Sequence, residues 1–206
     1  MELNYKEVID FHKLRECIVS RRTTQTYVAN DSGLDRNQVS QIISGFTTPM
    51  SNVVAKICWS LKAPVSEIVD FKNIKLNPYF DTFPYVYDVP KEAVGEVTYK
   101  PLWNFLKIYL KDHEGKTAND LFDKIEPYRR RVGLTDTTKA REASFKSRGI
   151  DENFVARVKR EKEYYKTGLT EEMRTKLHQD RPISMRTIYD ICKFLGCSVD
   201  FVMSYK

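Results

Sequence analysis

Four neighbouring polar residues have side chains that could hydrogen-bond to the edges of nucleobases. They are Arg36, Asn37, Gln38 and Gln41. An arginine can donate two parallel bonds to guanine, and an asparagine or a glutamine can pair with adenine in a similar two-bond geometry. Val39 and Ile42 alternate with them at helical spacing, which indicates a helix with one polar and one apolar face. Such a polar face is either an ordinary solvated surface or one that contacts base edges in the major groove of duplex DNA.

The surrounding sequence predicts the helices that must hold this segment. Through residues 6–71, apolar residues recur every three or four positions in short runs that end at glycine or proline, which indicates five short helices. Thr24, Asp35 and Ser51 each precede such a run, and we expect each to cap a helix start. Gly33 would take a positive φ in the turn before Asp35.

The segment QTYVANDSGLDRNQVSQIISG, residues 25–45, resembles the helix-turn-helix of the Cro and lambda-repressor-like XRE family. The resemblance extends over residues 9–71. Val28 stands where the family usually has leucine, Asp35 where it has a serine cap, and Ile43 where it has an acidic residue. The positions that match the family pattern are Gln25, Val28, Ala29, Gly33, Asp35, Val39, Ser40, Ile42, Gly45 and Pro49.

The resemblance implies a five-helix, lambda-repressor-like domain that binds DNA. The small Ala29 would let two helices cross closely, and Val28, Val39 and Ile42 would form the apolar side of the helix pair. By the same resemblance, the residues named above would contact bases. The residues that would contact phosphates are Thr24, Gln25, Ser44 and Thr48.

Residues 73–97 form a linker rich in proline and tyrosine. Pro78, Pro84 and Pro90 favour an extended chain, and five aromatic residues between Tyr79 and Tyr87 need a surface to cover. Stacking of these aromatic rings on bases is the alternative. We expect the linker to pack along one or both halves.

The second half of the chain contains a diverged copy of the first. GLDRNQVSQI, residues 33–42, matches GIDENFVARV, residues 149–158. Further on, ICWSLKAPVSEIV, residues 57–69, matches ICKFLGCSVDFVM, residues 191–203. The two matches are displaced by different lengths. We therefore expect the copy to contain an insertion, close to residues 161–180, after its own base-reading helix.

The start of this copy allows two interpretations. Residues 97–107 look like an opening helix, and the second helix is either residues 116–122 or residues 137–148. The copied reading helix has Glu152 in place of Arg36, so this half either binds DNA or serves dimerisation or partner binding. Its candidate DNA contacts are Arg148, Asn153, Arg157, Lys159 and Arg160.

The positive charge of the chain lies in its second half. The formal net charge is +6, yet residues 1–71 contain eight Lys/Arg and eight Asp/Glu, against twenty-two and sixteen in residues 101–206. Residues 127–162 alone contain eleven basic and five acidic residues. Such a segment is either a solvated surface or a phosphate-binding one whose DNA affinity falls steeply with salt.

Other function classes find no support in the sequence. No stretch approaches the roughly 18 apolar residues of a membrane span, so we expect a cytoplasmic protein without membrane contact. The cysteines and histidines lack metal-ligand spacing, so we expect no metal and no cofactor. Motifs of common enzymes are absent, which predicts a protein that is not an enzyme. His178, Arg181 and Tyr189 superficially resemble a recombinase site, although Arg181 is better explained as the approach to a helix.

The sequence thus predicts an all-α protein in three parts. Residues 1–72 would form the five-helix XRE domain, residues 73–97 the linker, and residues 98–206 a helical domain with an XRE-like core and insertions. We expect a homodimeric transcriptional repressor of prokaryotic, phage or mobile-element type that binds double-stranded DNA. A monomer with two unlike reading heads, which would recognise an asymmetric site, is the alternative to the homodimer. The alternative is a protein-binding inhibitor, for example of a CRISPR or other host defence nuclease, that binds its partner through the C-terminal domain and regulates its own gene through the N-terminal one.

Overall fold

The structure is a computed structural model that describes residues 7–81, 89–112, 115–126 and 168–206. This part of the chain is mainly α-helical, as the sequence predicts. No helix in these ranges has the length and apolar character that crossing a membrane requires. We number helices and strands over the described residues only.

The elements fall into two halves with the same order at their starts and ends. The N-terminal half contains β1 (Ile9–Asp10), α1 (His12–Ser20), α2 (Gln25–Ser32), α3 (Arg36–Ile43), α4 (Ser51–Leu61), a 3-10 helix (Val65–Glu67) and β2 (Asp70–Phe71). After a 3-10 helix at Pro78–Asp81, the C-terminal half contains β3 (Val97–Thr98), α5 (Lys100–Tyr109), α6 (Ala118–Phe122), α7 (Glu171–His178), α8 (Met185–Leu195), a 3-10 helix (Val199–Phe201) and β4 (Ser204–Tyr205).

Helices α2 and α3 begin where their capping residues predict. The Thr24 hydroxyl accepts a hydrogen bond from the backbone N–H of Tyr27 at 3.1 Å, and the Asp35 carboxylate accepts one from the N–H of Asn37 at 2.7 Å. Gly33, which ends α2, has a φ of +64°, a conformation that strains any residue with a side chain. The predicted caps and turn of this helix pair are therefore confirmed.

Ser51 is not a cap, so that prediction is wrong. Helix α4 begins at Ser51 itself, and Met50 is its N-cap residue without a side-chain bond. The buried Ser51 hydroxyl instead lies 2.7 Å from the hydroxyl of Tyr99 and accepts a hydrogen bond from the N–H of Ile183 at 3.0 Å. The Ser51 hydroxyl thus bonds to residues of the other half of the chain and not to the backbone N–H groups at the start of α4.

Two antiparallel strand pairs, which the sequence pattern does not predict, close the two halves. β1 pairs with β2, and β3 pairs with β4. Each pair is extended by an equivalent backbone hydrogen bond of 2.8 Å, from Lys72 N–H to the Val8 carbonyl and from Lys206 N–H to the Glu96 carbonyl. Strands of two residues are too short to show an alternating apolar pattern, so the sequence carries no sign of them.

The predicted match between residues 57–69 and 191–203 is confirmed. Both segments run from a helix through a residue in the left-handed conformation into a 3-10 helix. In both, the N–H that follows the left-handed residue bonds the carbonyl of the equivalent cysteine at 3.0 Å. The equivalent residues include Cys58 and Cys192, Lys62 and Gly196, and Ala63 and Cys197.

Helices α6 and α7 are capped in the same way as α2 and α3. The Thr117 hydroxyl accepts a hydrogen bond from the backbone N–H three residues further along, as the Thr24 hydroxyl does at the start of α2. Thr170 caps the start of α7, where α3 has Asp35. Residues 116–122 thus supply a helix equivalent to α2, and the other candidate for the second helix, residues 137–148, lies outside the described residues.

The turn between these helices is also equivalent in the two halves. The Leu34 N–H bonds the Ala29 carbonyl, and the Leu169 N–H bonds the Phe122 carbonyl, each at 2.9 Å. In the N-terminal half this bond closes a turn of a few residues, whereas in the C-terminal half it joins parts of the chain separated by residues 127–167. We call the two units the α2–α3 pair and the α6–α7 pair.

This equivalence corrects the sequence alignment of the copy. The alignment places residues 161–180 in an insertion after the reading helix, but α7 lies within that range and occupies the position equivalent to α3. Gly168 supplies the turn before it, with a φ of +97°, and Leu177 supplies the fully buried apolar contact. The additional residues therefore precede α7. Residues 149–158 lie outside the described residues.

A single apolar core runs through both halves in the described part of the chain. Its buried members come from every helix of both halves, from Leu14 in α1 to Ile191 in α8. The four cysteines are buried and free. Burial, assisted by the nearby Asp200 carboxylate, raises the pKa of the Cys58 and Cys192 thiols well above the ordinary value, so both stay protonated.

The described parts of the linker, residues 73–81 and 89–96, pack on both halves. The ring of Phe80 stacks on Phe105 of α5 with 4.8 Å between the ring centroids. Further along, the indole N–H of Trp59 in α4 donates to the carbonyl of Ala93 at 2.5 Å. The prediction that the linker packs on the protein is confirmed for these residues.

We expect Gly196→Ala to destabilise the fold more than Gly45→Ala. Both glycines have a positive φ, +71° and +68°, but a Cβ on Gly196 would lie 2.8 Å from the carbonyl oxygen of Lys75, whereas a Cβ on Gly45 meets nothing within 4 Å. The positive φ costs about 1 kcal/mol in both variants, and the clash should add about 1–3 kcal/mol in the first. Urea unfolding measures the difference. Equal losses would contradict close packing of the linker on α8.

Candidate nucleic-acid interface

Helix α3 is held with one face buried and the opposite face exposed. Val39 and Ile42 are fully buried, and α3 packs against α2 and α1. Its first turn is fixed by the Asp35 cap, and α2 itself packs against α4. The positions of the exposed side chains of α3 therefore depend on a rigid support rather than on a loop.

The residues predicted to contact bases all lie on the exposed face of α3. They are Arg36, Asn37, Gln38 and Gln41. Among the described residues, none of these four side chains takes part in a hydrogen bond or an ion pair. The first two stand in the first helical turn, which is the part of a recognition helix that reaches base edges. Their donors and acceptors are thus available to another molecule.

The residues predicted to contact phosphates differ in their exposure and in whether their side chains can still donate a hydrogen bond. The Thr24 oxygen accepts a bond from Tyr27, which leaves the hydroxyl hydrogen able to donate. The Ser44 hydroxyl already donates to the Ser40 carbonyl at 2.8 Å, so its hydrogen is engaged. Gln25 and Thr48 are half-buried, while Thr24 and Ser44 are exposed. Thr24 is therefore the best placed of these four candidates.

Tyr27 is a candidate that the sequence analysis missed. It stands in the first turn of α2, close to Thr24 and Gln25, and 54% of its side chain is exposed. A tyrosine hydroxyl is a common donor to phosphate oxygens. The signal in the sequence is a large aromatic residue at a position where the periodicity of α2 calls for a polar one.

In the other half, the first turn of the helix equivalent to α3 carries the opposite charge. Glu171 and Glu172 are exposed in the first turn of α7, where α3 has Arg36 and Asn37. Glu172 pairs with Lys176 at 2.6 Å, and this partner lowers the pKa of the Glu172 carboxyl. The two equivalent helices therefore offer different chemistry to a polyanion.

The predicted second DNA site lies outside the described residues. This holds for all of its members, Arg148, Asn153, Arg157, Lys159 and Arg160. The described residues on either side of the segment 127–167 are close together, because the Gly168 N–H bonds the Ile125 carbonyl at 2.8 Å. This segment contains twelve basic and six acidic residues, and it departs from the turn of the α6–α7 pair.

The three residues that superficially resemble a recombinase site have different surroundings in the structure. Tyr189 is fully buried, donates to the Lys72 carbonyl at 3.2 Å and is not accessible to a DNA phosphate. His178 stacks on Trp103 with 4.0 Å between the ring centroids. The described ranges contain no group of His, Cys, Asp and Glu side chains arranged to hold a metal ion. Arg181, His178 and Tyr189 thus do not form one exposed cluster.

Tyr99 joins the two halves through a buried hydrogen-bond chain that the sequence analysis also missed. Its hydroxyl donates to the Arg181 carbonyl at 3.1 Å, so it accepts from Ser51. Burial raises the pKa of Tyr99 to about 12, although the Ser51 bond acts in the opposite direction. A tyrosine next to an opening helix gives no sequence signal of such a contact.

We expect the free energy of unfolding of Tyr99→Phe to fall less between pH 10 and pH 12 than that of the unsubstituted chain. A tyrosine with a pKa of about 12 in the folded chain and about 10 in the unfolded chain contributes stability that is present below pH 10 and lost as pH rises towards 12. The loss is about 1.4 kcal/mol per pH unit in that window. The variant should also lose about 1–2 kcal/mol at pH 8, because the Ser51 hydroxyl would lack an acceptor.

Urea unfolding at pH 8, 9, 10 and 11 measures this effect. Tyr27→Phe is the matched control, since it removes a hydroxyl from an exposed ring. Parallel curves for Tyr99→Phe and the unsubstituted chain above pH 10 would contradict the buried placement of the Tyr99 hydroxyl.

Comparisons of the chain with protein-family models, with curated protein sequences and with solved structures found no match.

Proposed function

We propose that the protein binds double-stranded DNA with sequence specificity through the exposed face of α3 and acts as a transcriptional repressor. The observation that carries this proposal is a set of exposed polar side chains that have no hydrogen-bond or ion-pair partner among the described residues, on a capped and rigidly supported helix. The XRE resemblance of residues 25–45 points in the same direction, and the α2–α3 pair has the helix bounds, caps and turn that this resemblance implies. A lambda-repressor-like domain at residues 1–72 is part of the proposal.

Base reading is assigned to Arg36, Asn37, Gln38 and Gln41. Arg36 has five donors in a fixed fork that fits the two acceptors of guanine in the major groove. Asn37 and Gln41 each combine one donor and one acceptor, which fits adenine. Repression follows if the bound chain occludes a promoter.

Phosphate attraction is assigned to a different part of the chain. The N-terminal half is neutral, so its own charge does not draw it to DNA. The basic segment 127–167 carries a charge excess that equals the net charge of the whole protein, and the described residues that flank it, Ile125 and Gly168, are hydrogen-bonded to each other at the turn of the α6–α7 pair. Neutralising several phosphates there would make affinity depend steeply on salt.

Three expectations from the sequence stay predictions. They are the homodimer, the cytoplasmic location, and the alternative in which the C-terminal half binds a partner protein as an inhibitor. A C-terminal domain with an XRE-like core is likewise a proposal, supported by the equivalence of the α6–α7 and α2–α3 pairs.

Selection of bound duplexes from a random library tests the proposed function. The full chain is used, and the selection is repeated with Arg36→Ala, Gln41→Ala and Arg157→Ala. We expect a defined motif that is lost or degraded with the first two substitutions and retained with the third. Retention of the same motif with all three would contradict the assignment of base reading to α3.

A further inference from the structure

The two halves of the chain meet through equivalent residues. Met50, the N-cap residue of α4, forms an antiparallel β-bridge with Ser184, the N-cap residue of α8. The N–H of Ser66 donates to the carboxylate of Asp200 at 3.0 Å, and these two residues are the middle residues of the equivalent 3-10 helices. When two copies pack together, a residue meets its own equivalent at a two-fold axis.

Contacts away from this centre are reciprocal. The ring of Phe71 in β2 lies 5.5 Å from the ring of Tyr189 in α8, while β4 packs against α4. The strand pair of each half thus covers a helix of the other half. This is the pattern of a self-complementary dimer interface, here formed within one chain.

Helices α3 and α7 occupy equivalent positions about this internal axis. A two-fold rotation keeps related elements at the same height along the axis, so a ligand centred on the axis at that height can reach both helices. Duplex DNA has a local two-fold axis of its own, and paired recognition helices bind it with the two axes aligned. A duplex bound through α3 in this manner would also meet α7.

The two helices would meet it with different side chains. The first turn of α3 offers Arg36 and Asn37, whereas that of α7 offers Glu171 and Glu172. Two carboxylates near a row of phosphates are repelled, and the effect is largest at low salt. Lys176 is paired with Glu172, so it compensates for only one of them.

We infer that a single chain occupies an asymmetric DNA site, in which α3 specifies bases on one side of the internal axis and α7 specifies none on the other. The inference rests on the proposed function. The ligand is a duplex with one base-specific half and one half contacted without selection of bases. A single chain thus takes the place of the homodimer expected from the sequence, because the surface that would pair with a second chain is already covered by the other half of the same chain.

The first test measures the composition of the complex. The full chain, of 24.1 kDa, is mixed with the selected duplex and its mass is determined by native mass spectrometry. We expect one chain per duplex and a selected motif without an inverted repeat. Two chains per duplex, or an inverted repeat, would overturn the inference and leave the proposed function standing. An unchanged motif with Arg36→Ala would instead count against the proposed function.

The second test changes the charge of α7. The double variant Glu171→Gln, Glu172→Gln should bind the selected duplex about 3- to 10-fold tighter at 50 mM salt, with a smaller gain at 200 mM and the same motif. The control is Glu92→Gln, Glu96→Gln, which changes the net charge equally at exposed positions within the linker and should alter binding by less than about 2-fold. Weaker binding of the first variant, loss of a specified base pair, or an equal gain with the control would overturn the inference. Thermal unfolding of both variants checks that the fold is kept.

Discussion

Replacing Arg36 by alanine is expected to weaken binding to the selected duplex by about 5- to 150-fold, which corresponds to the 1–3 kcal/mol of one bidentate base contact. Arg36 is the first residue of α3, exposed and without an ion-pair partner among the described residues. The substitution removes no hydrogen bond or ion pair among the described residues, so the fold should be unaffected. Fluorescence anisotropy at a fixed salt concentration measures the affinity for the selected duplex and for a duplex of random sequence.

The control for this experiment is Arg15→Ala, which removes the same charge from the exposed surface of α1. It should change affinity by less than about 3-fold and equally for both duplexes, since a single surface charge acts on all sequences alike. Arg36→Ala should reduce the preference for the selected duplex over the random one. If Arg36→Ala weakened both equally, Arg36 would be a phosphate contact and the base-reading assignment would be wrong.

The second large effect concerns the core. Ile42→Ala should lower the free energy of unfolding by about 2–5 kcal/mol, because Ile42 is fully buried beneath α3 and its removal leaves a cavity. Leu177 is the equivalent residue of α7 and is equally buried, so Leu177→Ala should cost a similar amount. Val19→Ala is the control, since Val19 is 70% exposed and should change stability by less than about 0.5 kcal/mol.

The two tryptophans show whether Ile42→Ala lowers the stability of both halves. Trp59 lies in α4 and Trp103 in α5, so variants that retain only one of them report on one half each. Because a single apolar core joins the halves, Ile42→Ala should lower the unfolding midpoint seen by Trp59 and by Trp103 to the same extent. A shift confined to Trp59 would mean that the halves unfold independently.

The α2–α3 pair could be predicted from the sequence because its signals are local. A hydroxyl or carboxylate that caps a helix acts within three residues, and Gly33 marks its turn by backbone conformation alone. Ser51 looks the same in the sequence as Thr24, yet its partners are Tyr99 and Ile183, far away along the chain. A local sequence pattern does not indicate whether a hydroxyl bonds to the start of its own helix or to distant residues such as these.

The second copy was located by the sequence but aligned incorrectly at its reading helix. Residues 149–158 have more identities with the α3 segment than α7 has. In the structural alignment, the polar Arg174 of α7 stands at the position of the buried Val39. The Arg174 side chain bonds the Leu169 carbonyl and pairs with Asp123, so a polar residue is accommodated at that position. The backbone bonds of the turn decide the alignment, and these leave no trace in residue identities.

Of the candidate site, the exposed positions on α3 followed from helical periodicity. The charge of α7 did not, since its glutamates became comparable with Arg36 and Asn37 only after the α6–α7 pair was recognised. The internal axis could not be predicted from the sequence either, because it depends on the contact of Met50 with Ser184, which are far apart along the chain.

The contact between Met50 and Ser184 also bears on how the protein behaves when it is scarce. Two separate subunits come apart on dilution, and their joint occupancy of a site then falls more steeply than their concentration. Halves that are joined by a packed linker remain at a fixed effective concentration however dilute the chain is. Titration of a duplex should therefore follow a simple hyperbola, and a small number of chains per cell would be enough to keep one site filled.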